Sequence, residues 1–475
     1  MRINTVLGAM SARQGSLLAV ILLLGIKLTL LAIFGPIFTP DSAGYAGFAD
    51  LILSHRLDAD LLTTAIPVTL HRVIGYPALI AGAKLVAGGH WAWLLVAAQM
   101  AASLGATIAV RQTARQFGFG RKAALAIAAA QALSLPLLLD QAILADSLYS
   151  SAVTVVVCLL LRPFTDSAAP MRRNAAIAGL LLLLAFLLRE ATAYVVVGFV
   201  PLAAASYRIS RSLGRTALIV LLVIGPVILG VQTYKSWNEA RIGQRIVTTG
   251  AQTTVLQALG LAAQADPTIF DGDSALDVEA RNGFHTHEFG EVLAINDRLA
   301  TRDGWTAPMI AAESFAKYGR EWRRHPLAMA TIVFDNLRSA QMQLMVRPVA
   351  SVRDMILWST GSDGGFDRWI AIRQGKLTEL PILILGGLEK LAAMVLFFTF
   401  AVATPLRWVG DRNDAAKLAA MTVWMLYFTF FSAYDLVHLE LRYMAPVVPA
   451  SLLVAALQIR WLGGIWAARR SLSHT

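Results

Sequence analysis

The sequence predicts an all-α polytopic membrane protein with about 10–11 transmembrane helices and a large outer-face region. Of its 475 residues, 57% are hydrophobic and 15% are charged, whereas soluble domains have roughly 45–50% apolar and 25% charged residues. Apolar stretches recur along the chain with lengths near the ~20 residues that cross ~30 Å of hydrocarbon as helix. The net charge of +11 is spread over short segments between these stretches. We therefore interpret the charge as membrane topology and expect no nucleic-acid partner.

Eleven apolar segments bounded by charge predict the individual spans. The first follows the basic residues Arg2 and Arg13, and it is too long for the apolar part of a signal peptide, so we expect an uncleaved anchor. If basic connections are to stay on one side, 74–88 and 91–110 must together make one crossing, which leaves ten crossings. The segments are 17–37, 74–88, 91–110, 123–139, 147–161, 175–188, 191–206, 216–234, 380–403, 418–434 and 443–460.

Lysine and arginine gather in the connections on one side, which the positive-inside rule identifies as cytoplasmic. The opposite connections are poor in bases, and they include the long stretch 236–378, which is mixed in charge with an amphipathic part at 311–346. We expect this stretch to cap the membrane domain without a second hydrophobic core. The predicted organisation is an N-terminal transmembrane domain at 1–235 with a first outer loop at 38–73, an outer region with amphipathic helices at 236–378, and C-terminal transmembrane helices with a basic tail at 379–475.

One carboxylate stands where the first apolar run leaves the membrane. Asp41 lies in IFTPDSAGYAGFAD, residues 37–50, and the apolar residues after it are spaced for an amphipathic helix. Asp41 could therefore simply cap a surface helix. Alternatively, its carboxylate is a general base at the level where a lipid-borne substrate presents its polar end. A cap does not exclude a base, so both interpretations stay open at this point.

Four short motifs lie on the predicted outer face: PDSAGY at 40–45, TLHRVIGYPALIAG at 69–82, ILADSLY at 143–149 and HLELRYMAP at 438–446. Together they resemble motifs of a family of bacterial membrane glycosyltransferases of the GT-C class, related to protein mannosyltransferases (glycosyltransferase family 39) and to aminoarabinose transferases. The motif PDSAGY at 40–45 is similar to the first-loop acid motif of these proteins. The segment TLHRVIGYPALIAG at 69–82 resembles their R-x-PGYP segment, although Ile74 replaces its first proline. The motifs ILADSLY at 143–149 and HLELRYMAP at 438–446 resemble the second acid motif and the opening of the last span.

The resemblance implies a GT-C-like fold and an enzyme of the inner membrane with its active site on the periplasmic face. It makes Asp41 the catalytic residue and Asp146 a second acid that orients an acceptor or a metal ion. No nucleotide sugars exist outside the inner membrane, so the donor must be a sugar carried across on a lipid, such as a polyprenyl-phosphate-linked sugar. The acceptor would be a glycan, a lipid or a protein, and the sugar would be transferred with inversion.

The leaving phosphate needs a cation, and the planar fork of arginine suits phosphate oxygens. Arg442 is the first candidate, followed by Arg189 and Arg72; each has the alternative of being a structural ion pair or an interface anchor. The same motifs supply six candidate substrate-binding residues, namely Tyr45, His71, Tyr76, His438, Glu440 and Tyr443.

Metal and nucleotide motifs are weak in this sequence. The D-x-D at 271–273 reads as a solvated turn, and the segment HTHE at 285–288 as a surface segment. The glycine-rich 361–365 lacks the preceding strand and following lysine of a phosphate-binding loop. We expect no protein-built metal site, but a divalent ion between Asp41 and the donor phosphate stays an alternative.

Two other functions compete with a glycosyltransferase. A flippase or transporter of lipid-linked sugars would show repeats or broken helices near the midplane; the sequence has no repeat, and Lys27, Lys84 and Lys390 are interpreted as scattered charges. An O-antigen ligase or polymerase would depend on bases of the outer region instead of a first-loop acid. Its candidate residues are Arg320, Arg323, Arg324 and His325.

Overall fold

A computed structural model describes residues 12–61, 64–166, 170–205, 212–286, 288–340, 346–359, 380–408 and 414–472. Within these ranges the chain is helical, and its only β-type pairing is an isolated bridge between Ile37 and Ala142. The all-α prediction is confirmed. In the N-terminal half the longer helices are α1 (Ala12–Phe34), α2 (Pro40–Leu53), α3 (Gly75–Ala87), α4 (Trp91–Gln116), α5 (Arg121–Ala132), α6 (Asp146–Leu161), α7 (Met171–Leu188) and α8 (Leu213–Ile242).

The described part of the outer region carries six α-helices, and three long helices lie in the described part of the chain after it. The outer helices are α9 (Thr254–Ala265), α10 (Ala275–Gly283), α11 (Phe289–Arg302), α12 (Ala307–Arg324), α13 (Pro326–Ala340) and α14 (Pro348–Ser359). The C-terminal helices are α15 (Leu380–Trp408), α16 (Ala415–Asp435) and α17 (Val448–Leu472). Short turns between the long helices include Val68–His71, Pro136–Leu139, Thr192–Val195 and Leu441–Met444.

The chain is a multi-pass membrane protein. In the described part, seven helical segments are long and apolar enough to cross a bilayer, and two shorter ones, Leu18–Phe34 and Thr192–Ala204, are also apolar. The helical segment Gly75–Gln116 counts once among the seven, but it consists of the two helices α3 and α4. That 74–88 and 91–110 make one crossing stays a prediction. The predicted span 123–139 is absent from both sets because α5 ends at Ala132 before the turn Pro136–Leu139.

The main hydrophobic core lies between the membrane helices, and its tightest contact joins α7 to α8. Pro226 inside α8 lacks an N–H, so the carbonyl of Leu222 has no intrahelical partner. Gly179 of α7 lies against this carbonyl: a Cβ at Gly179 would lie 2.0 Å from Leu222 O and 3.0 Å from Pro226 Cγ. The backbones can approach this closely only because residue 179 has no side chain.

We expect Gly179→Ala to destabilise the membrane domain by about 1–3 kcal/mol, since the two helices must separate to admit the methyl group. Gly25→Ala in α1 is the matched control, because a Cβ at Gly25 meets nothing within 4 Å. The thermal unfolding midpoint in detergent should fall for Gly179→Ala and stay level or rise for Gly25→Ala. Equal midpoints for the two variants would contradict this packing.

The outer region has its own hydrophobic core, so the expectation that it lacks one is wrong. Sixteen buried residues between Val255 and Ile332 form a cluster separate from the membrane core. They come from α9 to α13, whose apolar residues recur at helical spacing and face one another. Because the apolar residues occupy only one face of each helix, the average composition of the stretch conceals them.

Hydrogen bonds fix the outer region to both loops that carry the predicted site. Thr249 N donates to Leu70 O over 2.9 Å, which ties the chain after α8 to the first outer loop. On the other side, Asn336 Nδ2 donates to Asp435 O over 2.7 Å and Leu439 N donates to Asn336 Oδ1 over 3.1 Å. The outer core therefore positions the segment just before the last span.

Candidate active site

Asp41 lies in the first turn of α2 and not at its cap. The cap is Thr39, whose backbone N–H donates to Ser42 Oγ over 2.8 Å, and Pro40 is the first helical residue. Proline is well suited to that position because the N–H it lacks would have no partner there. A carboxylate in the first turn is favoured by the helix dipole, yet it accepts none of the capping bonds. The carboxylate of Asp41 is thus left to interact with side chains from elsewhere.

Main-chain hydrogen bonds bring the second acid beside the first. Ile37 N donates to Gln141 O over 2.8 Å, and Ile143 N donates to Ile37 O over 2.9 Å. Ser42 Oγ adds a bond of 2.9 Å to Ile143 O. These three bonds join the start of α2 to the chain that leads into α6, which begins at Asp146.

A buried ion pair lies directly behind this junction. Lys27 of α1 pairs with Asp140, and each side chain is only 1% exposed. Lys27 Nζ also donates to Ser103 Oγ over 3.2 Å, and Ser147 Oγ donates to Asp140 Oδ1 over 2.6 Å. Lys27 is therefore not a scattered charge but the partner of an acid six residues before Asp146.

Tyr76 lies behind the site and does not line it. Its side chain is fully buried, and its hydroxyl donates to Gln99 Oε1 over 2.7 Å. Gln99 Nε2 in turn donates to the carbonyls of Asp140 and Ala142 over 3.0 and 2.9 Å. The Tyr76 ring packs edge-on against Tyr45 with ring centroids 5.0 Å apart. The structure thus places Tyr76 as a support for Tyr45 and for the junction.

Two arginines from distant parts of the chain share the carboxylate of Asp41. Arg72 Nη2 donates to Asp41 Oδ1 over 2.6 Å, and Arg442 Nη2 donates to Asp41 Oδ2 over 2.9 Å. Arg442 also contacts Glu440, with Nε 2.6 Å from Oε2. Tyr443 OH donates to Glu440 Oε1 over 3.0 Å. The last-span motif therefore reaches the first-loop acid directly.

Asp146 has its own arginine. Arg189, which ends α7, forms an ion pair with Asp146, and its guanidinium lies 4.2 Å from the centre of the Tyr443 ring. Arg189 is largely buried, and an arginine at the end of a membrane helix is stabilised by such a carboxylate and by the faces of aromatic rings. The second acid and the last-span motif are connected through this cation.

The acids and arginines of these motifs face a single cavity of about 540 Å³. Ten of the eleven predicted site residues line it: Asp41, Tyr45, His71, Arg72, Asp146, Arg189, His438, Glu440, Arg442 and Tyr443. The outer region contributes four further residues to the same wall, none of which the sequence motifs predicted: Thr253, Thr254, Gln257 and Phe289. Their motif-free segments carry no signal that would have identified them.

Burial and charge act in opposite directions on the acids of the cavity. Burial raises the pKa of Asp41, but Arg72 and Arg442 outweigh it and hold the pKa below its ordinary value. Burial likewise raises the pKa of Glu440, but His438 and Arg442 outweigh this effect and lower the pKa strongly. Burial and the neighbouring Arg72 lower the pKa of His71 to about 3, so His71 is neutral at physiological pH. Both carboxylates are ionised throughout the physiological range.

The negative charges of the acids in the cavity equal the positive charges of its arginines in number. Three carboxylates, of Asp41, Asp146 and Glu440, face three guanidinium groups, of Arg72, Arg189 and Arg442. Among the described residues, no three His, Cys, Asp or Glu side chains form a group that could hold a metal ion. A divalent ion in this cavity would have to displace an arginine from a carboxylate.

The weaker motifs lie elsewhere. In the D-x-D turn Asp271 and Asp273 are exposed, and the Gly272 carbonyl accepts a bond of 2.7 Å from Arg281, as expected of a solvated turn. His287 and the glycine-rich 361–365 lie outside the described residues. Of the ligase candidates, Arg320 pairs with Glu313 over 2.6 Å and His325 with Asp266 over 2.9 Å. None of the four ligase candidates, Arg320, Arg323, Arg324 and His325, lines the cavity around Asp41.

A comparison with solved structures gives a match over most of the chain. The chain is similar to the crystal structure of ArnT from Cupriavidus metallidurans bound to undecaprenyl phosphate. The identity is 13%, the match covers 91% of this chain and 77% of that chain, and the TM-score is 0.36. A likeness at this level transfers no residue roles. No protein-family model and no curated protein matches the chain.

Proposed function

We propose that the protein is a membrane glycosyltransferase that moves a sugar from a polyprenyl-phosphate-linked donor to a glycan, lipid or protein acceptor. The observation that carries the proposal is the cavity in which two acids from separate loops face three arginines at the outer edge of the membrane helices. Carboxylates can accept a proton from an acceptor hydroxyl, and arginines can hold a phosphate. We propose the periplasmic face of a bacterial inner membrane as the location, because the basic connections lie on the opposite side.

Asp41 is the proposed general base. The acceptor hydroxyl gives its proton to an Asp41 carboxylate oxygen while the hydroxyl oxygen attacks the anomeric carbon from the face opposite the phosphate. The bond from the anomeric carbon to the phosphate oxygen breaks, and its electron pair leaves with polyprenyl phosphate. The sugar is thereby inverted. The phosphate takes up no proton in this step, so cations must stabilise its growing charge.

The arginines on Asp41 suit this sequence of events. Arg72 and Arg442 neutralise Asp41 and keep it ionised. A carboxylate held this way is a weak base. A donor phosphate that attracts Arg442 would withdraw one of the two cations, so the pKa of Asp41 would rise toward the value a base needs. Donor binding would thus activate the base.

Asp146 and Arg189 are proposed to position the substrates. Their ion pair lies against Tyr443, which also bonds to Glu440 beside Arg442. Because the Arg189 guanidinium group contacts both Asp146 and the Tyr443 ring, it keeps its orientation when substrates enter. We propose that the guanidinium groups supply the electrostatic stabilisation that a metal ion would otherwise provide, because each acid in the cavity already has an arginine partner.

The function is tested by mass spectrometry of surface glycans and lipids from three strains. These lack the protein, carry the wild-type protein, or carry Asp41→Asn at matched levels. A transferase predicts the loss of one sugar mass in the deletion strain, restored by wild type and not by Asp41→Asn. A flippase for lipid-linked sugars predicts restoration by Asp41→Asn. A ligase or polymerase predicts restoration by Asp41→Asn and failure of variants at Arg320 or His325.

In Arg442→Gln, the fall of the transfer rate at acidic pH should begin at a higher pH than in the wild type. In the wild type, Arg72 and Arg442 lower the pKa of Asp41, so the base stays ionised to below its ordinary pKa of 3.8. Removing Arg442 leaves the effect of burial and takes away one lowering charge, so Asp41 becomes protonated at a higher pH. The measurement is the residual kcat/KM for the donor of reconstituted protein against pH, because this quantity reports the pKa of the free protein. Arg338→Gln, an exposed arginine on α13, should keep the wild-type pH dependence; an unchanged pH dependence in Arg442→Gln would contradict Asp41 as the base.

A further inference from the structure

A second cavity adjoins the first on the far side of Glu440 and Arg442. It measures about 280 Å³ and lies between α14 and the turn Pro136–Leu139. Its apolar wall consists of Leu135, Leu138 and Leu139, together with Ala350. Its polar wall holds Ser134, Arg347, Ser351 and Asp354, besides the shared Glu440 and Arg442.

Arg347 differs from the arginines of the first cavity. Arg72, Arg189 and Arg442 each lie within 4.0 Å of a carboxylate oxygen, whereas Arg347 makes no such ion pair with any acid in the described ranges. The carboxylate that shares its cavity, Asp354, is occupied by Arg353 over 2.7 and 3.0 Å. Burial lowers the pKa of Arg347 despite the nearby acids Asp354 and Glu389. Nearby carboxylates therefore neutralise the charge of Arg347 less than the charges of the arginines in the first cavity.

Hydrogen bonds hold Arg347 in place at the start of α14. Its backbone N–H donates to Ser134 Oγ over 3.1 Å, and Ser351 Oγ donates to Ser134 O over 3.1 Å. The first amides of α14 are already taken, because Val349 N donates to Glu389 Oε1 over 2.7 Å. The helix end itself is thus satisfied, and the group left to attract an anion is the Arg347 side chain.

The charges divide between the two cavities. The three acids and three arginines of the larger cavity cancel, so it offers no surplus positive charge to a phosphate. The smaller cavity holds Arg347 and Arg442 together with the acids Asp354 and Glu440. Because Asp354 is paired with Arg353, Arg347 is the arginine of this cavity without a carboxylate partner among the described residues, and three leucines lie beside it. An anionic group attached to an apolar chain matches this combination: the anion meets two guanidinium groups and the chain meets the leucines.

We propose that the smaller cavity binds the phosphate end of a lipid-linked substrate, with Arg347 and Arg442 as its phosphate ligands and Leu135, Leu138 and Leu139 against the first part of the lipid chain. This inference rests on the proposed function, since it names the place where the donor phosphate would bind. The acceptor then occupies the larger cavity beside Asp41. Arg442 lies in the wall between the two cavities, so a phosphate in the smaller cavity would draw its guanidinium group away from Asp41.

Binding of undecaprenyl phosphate to the purified full-length protein tests this assignment, with native mass spectrometry of detergent-solubilised samples as the readout. We expect Arg347→Gln to weaken binding by about 10- to 100-fold, the effect of losing one charged hydrogen bond. Arg347→Lys, which keeps the charge, should bind more tightly than Arg347→Gln. Arg338→Gln should bind like the wild type. Gel filtration identifies any variant that fails to fold. If Arg347→Gln fails to fold, the comparison of Arg347→Lys with the wild type tests the assignment.

Two further probes distinguish the possible sources of the phosphate. Phosphatidylglycerol and inorganic phosphate are titrated against the same proteins; we expect weaker binding of both to the wild type and no tenfold loss in Arg347→Gln. Equal binding of undecaprenyl phosphate to wild type and Arg347→Gln would overturn the assignment. If Asp41→Asn still abolished transfer in that case, the proposed function would stand without this site. Absence of undecaprenyl phosphate binding to the wild type would overturn both.

Discussion

Replacing Asp41 with asparagine should reduce transfer by about 10²- to 10⁴-fold, the usual contribution of a positioned general base. Asparagine has nearly the same shape and keeps one oxygen that can accept a bond from Arg72 or Arg442. It cannot take up the proton of the acceptor. Its neutral amide also leaves both arginines more available to phosphate, so the KM for the donor should not rise. The rate should therefore fall through kcat.

The measurement is transfer by the protein reconstituted in vesicles with a lipid-linked sugar donor, and Asp50→Asn is the control. Asp50 lies on the same helix, α2, and pairs with Lys84 over 2.6 Å, but it is exposed and outside the cavity. Asp50→Asn should keep the wild-type rate within about threefold. If Asp41→Asn retained more than a tenth of the wild-type kcat, Asp41 would serve only as a charge in the arginine network.

Replacing Lys27 with methionine should destabilise the protein by about 3–5 kcal/mol, because it leaves the carboxylate of Asp140 buried without its cation. Both side chains are 1% exposed, so water cannot replace the lost partner. Asp140 would keep only the bond from Ser147 Oγ. This is the largest stability effect that we expect from a single substitution in the described part of the chain.

A double variant separates the ion pair from simple loss of packing. Lys27→Met with Asp140→Leu removes both charges, and replacing a buried pair by apolar groups is often neutral. The thermal unfolding midpoint in detergent should fall in Lys27→Met and recover in the double variant. Lys390→Met, at an exposed position of α15, should leave the midpoint unchanged. A double variant as unstable as the single one would contradict the role of the pair.

Sequence alone indicates most of the membrane helices and places the candidate acids at the ends of such helices, for a physical reason. A helix that crosses a membrane must be apolar over its whole length, so α4, α7 and α8 are evident from composition. Polar residues that follow such helices on one face are confined to a thin layer, which brings Asp41, Asp146 and Arg442 close together.

Pairings between distant segments could not be predicted in this way. Lys27 and Asp140 are separated by 113 residues, and neither position carries a local pattern that specifies the other. The outer core escaped detection because its helices are amphipathic and bury charge as well: Lys317 of α12 lies inside, 2.6 Å from Asp277 and 3.2 Å from Glu321. A composition average cannot distinguish such a buried network from a solvated surface.

Under the proposed function, the junction of Ile37 with Gln141 and Ile143 has a consequence for the free energy of each transfer step. Two main-chain bonds fix the chain before Asp41 against the chain before Asp146, so the relative placement of the two acids is settled when the protein folds. The conformational entropy of bringing them together is lost once, during folding, and not again for every substrate. Arg442, which enters from the far end of the chain, is the partner left to shift its contacts as substrates arrive and products leave.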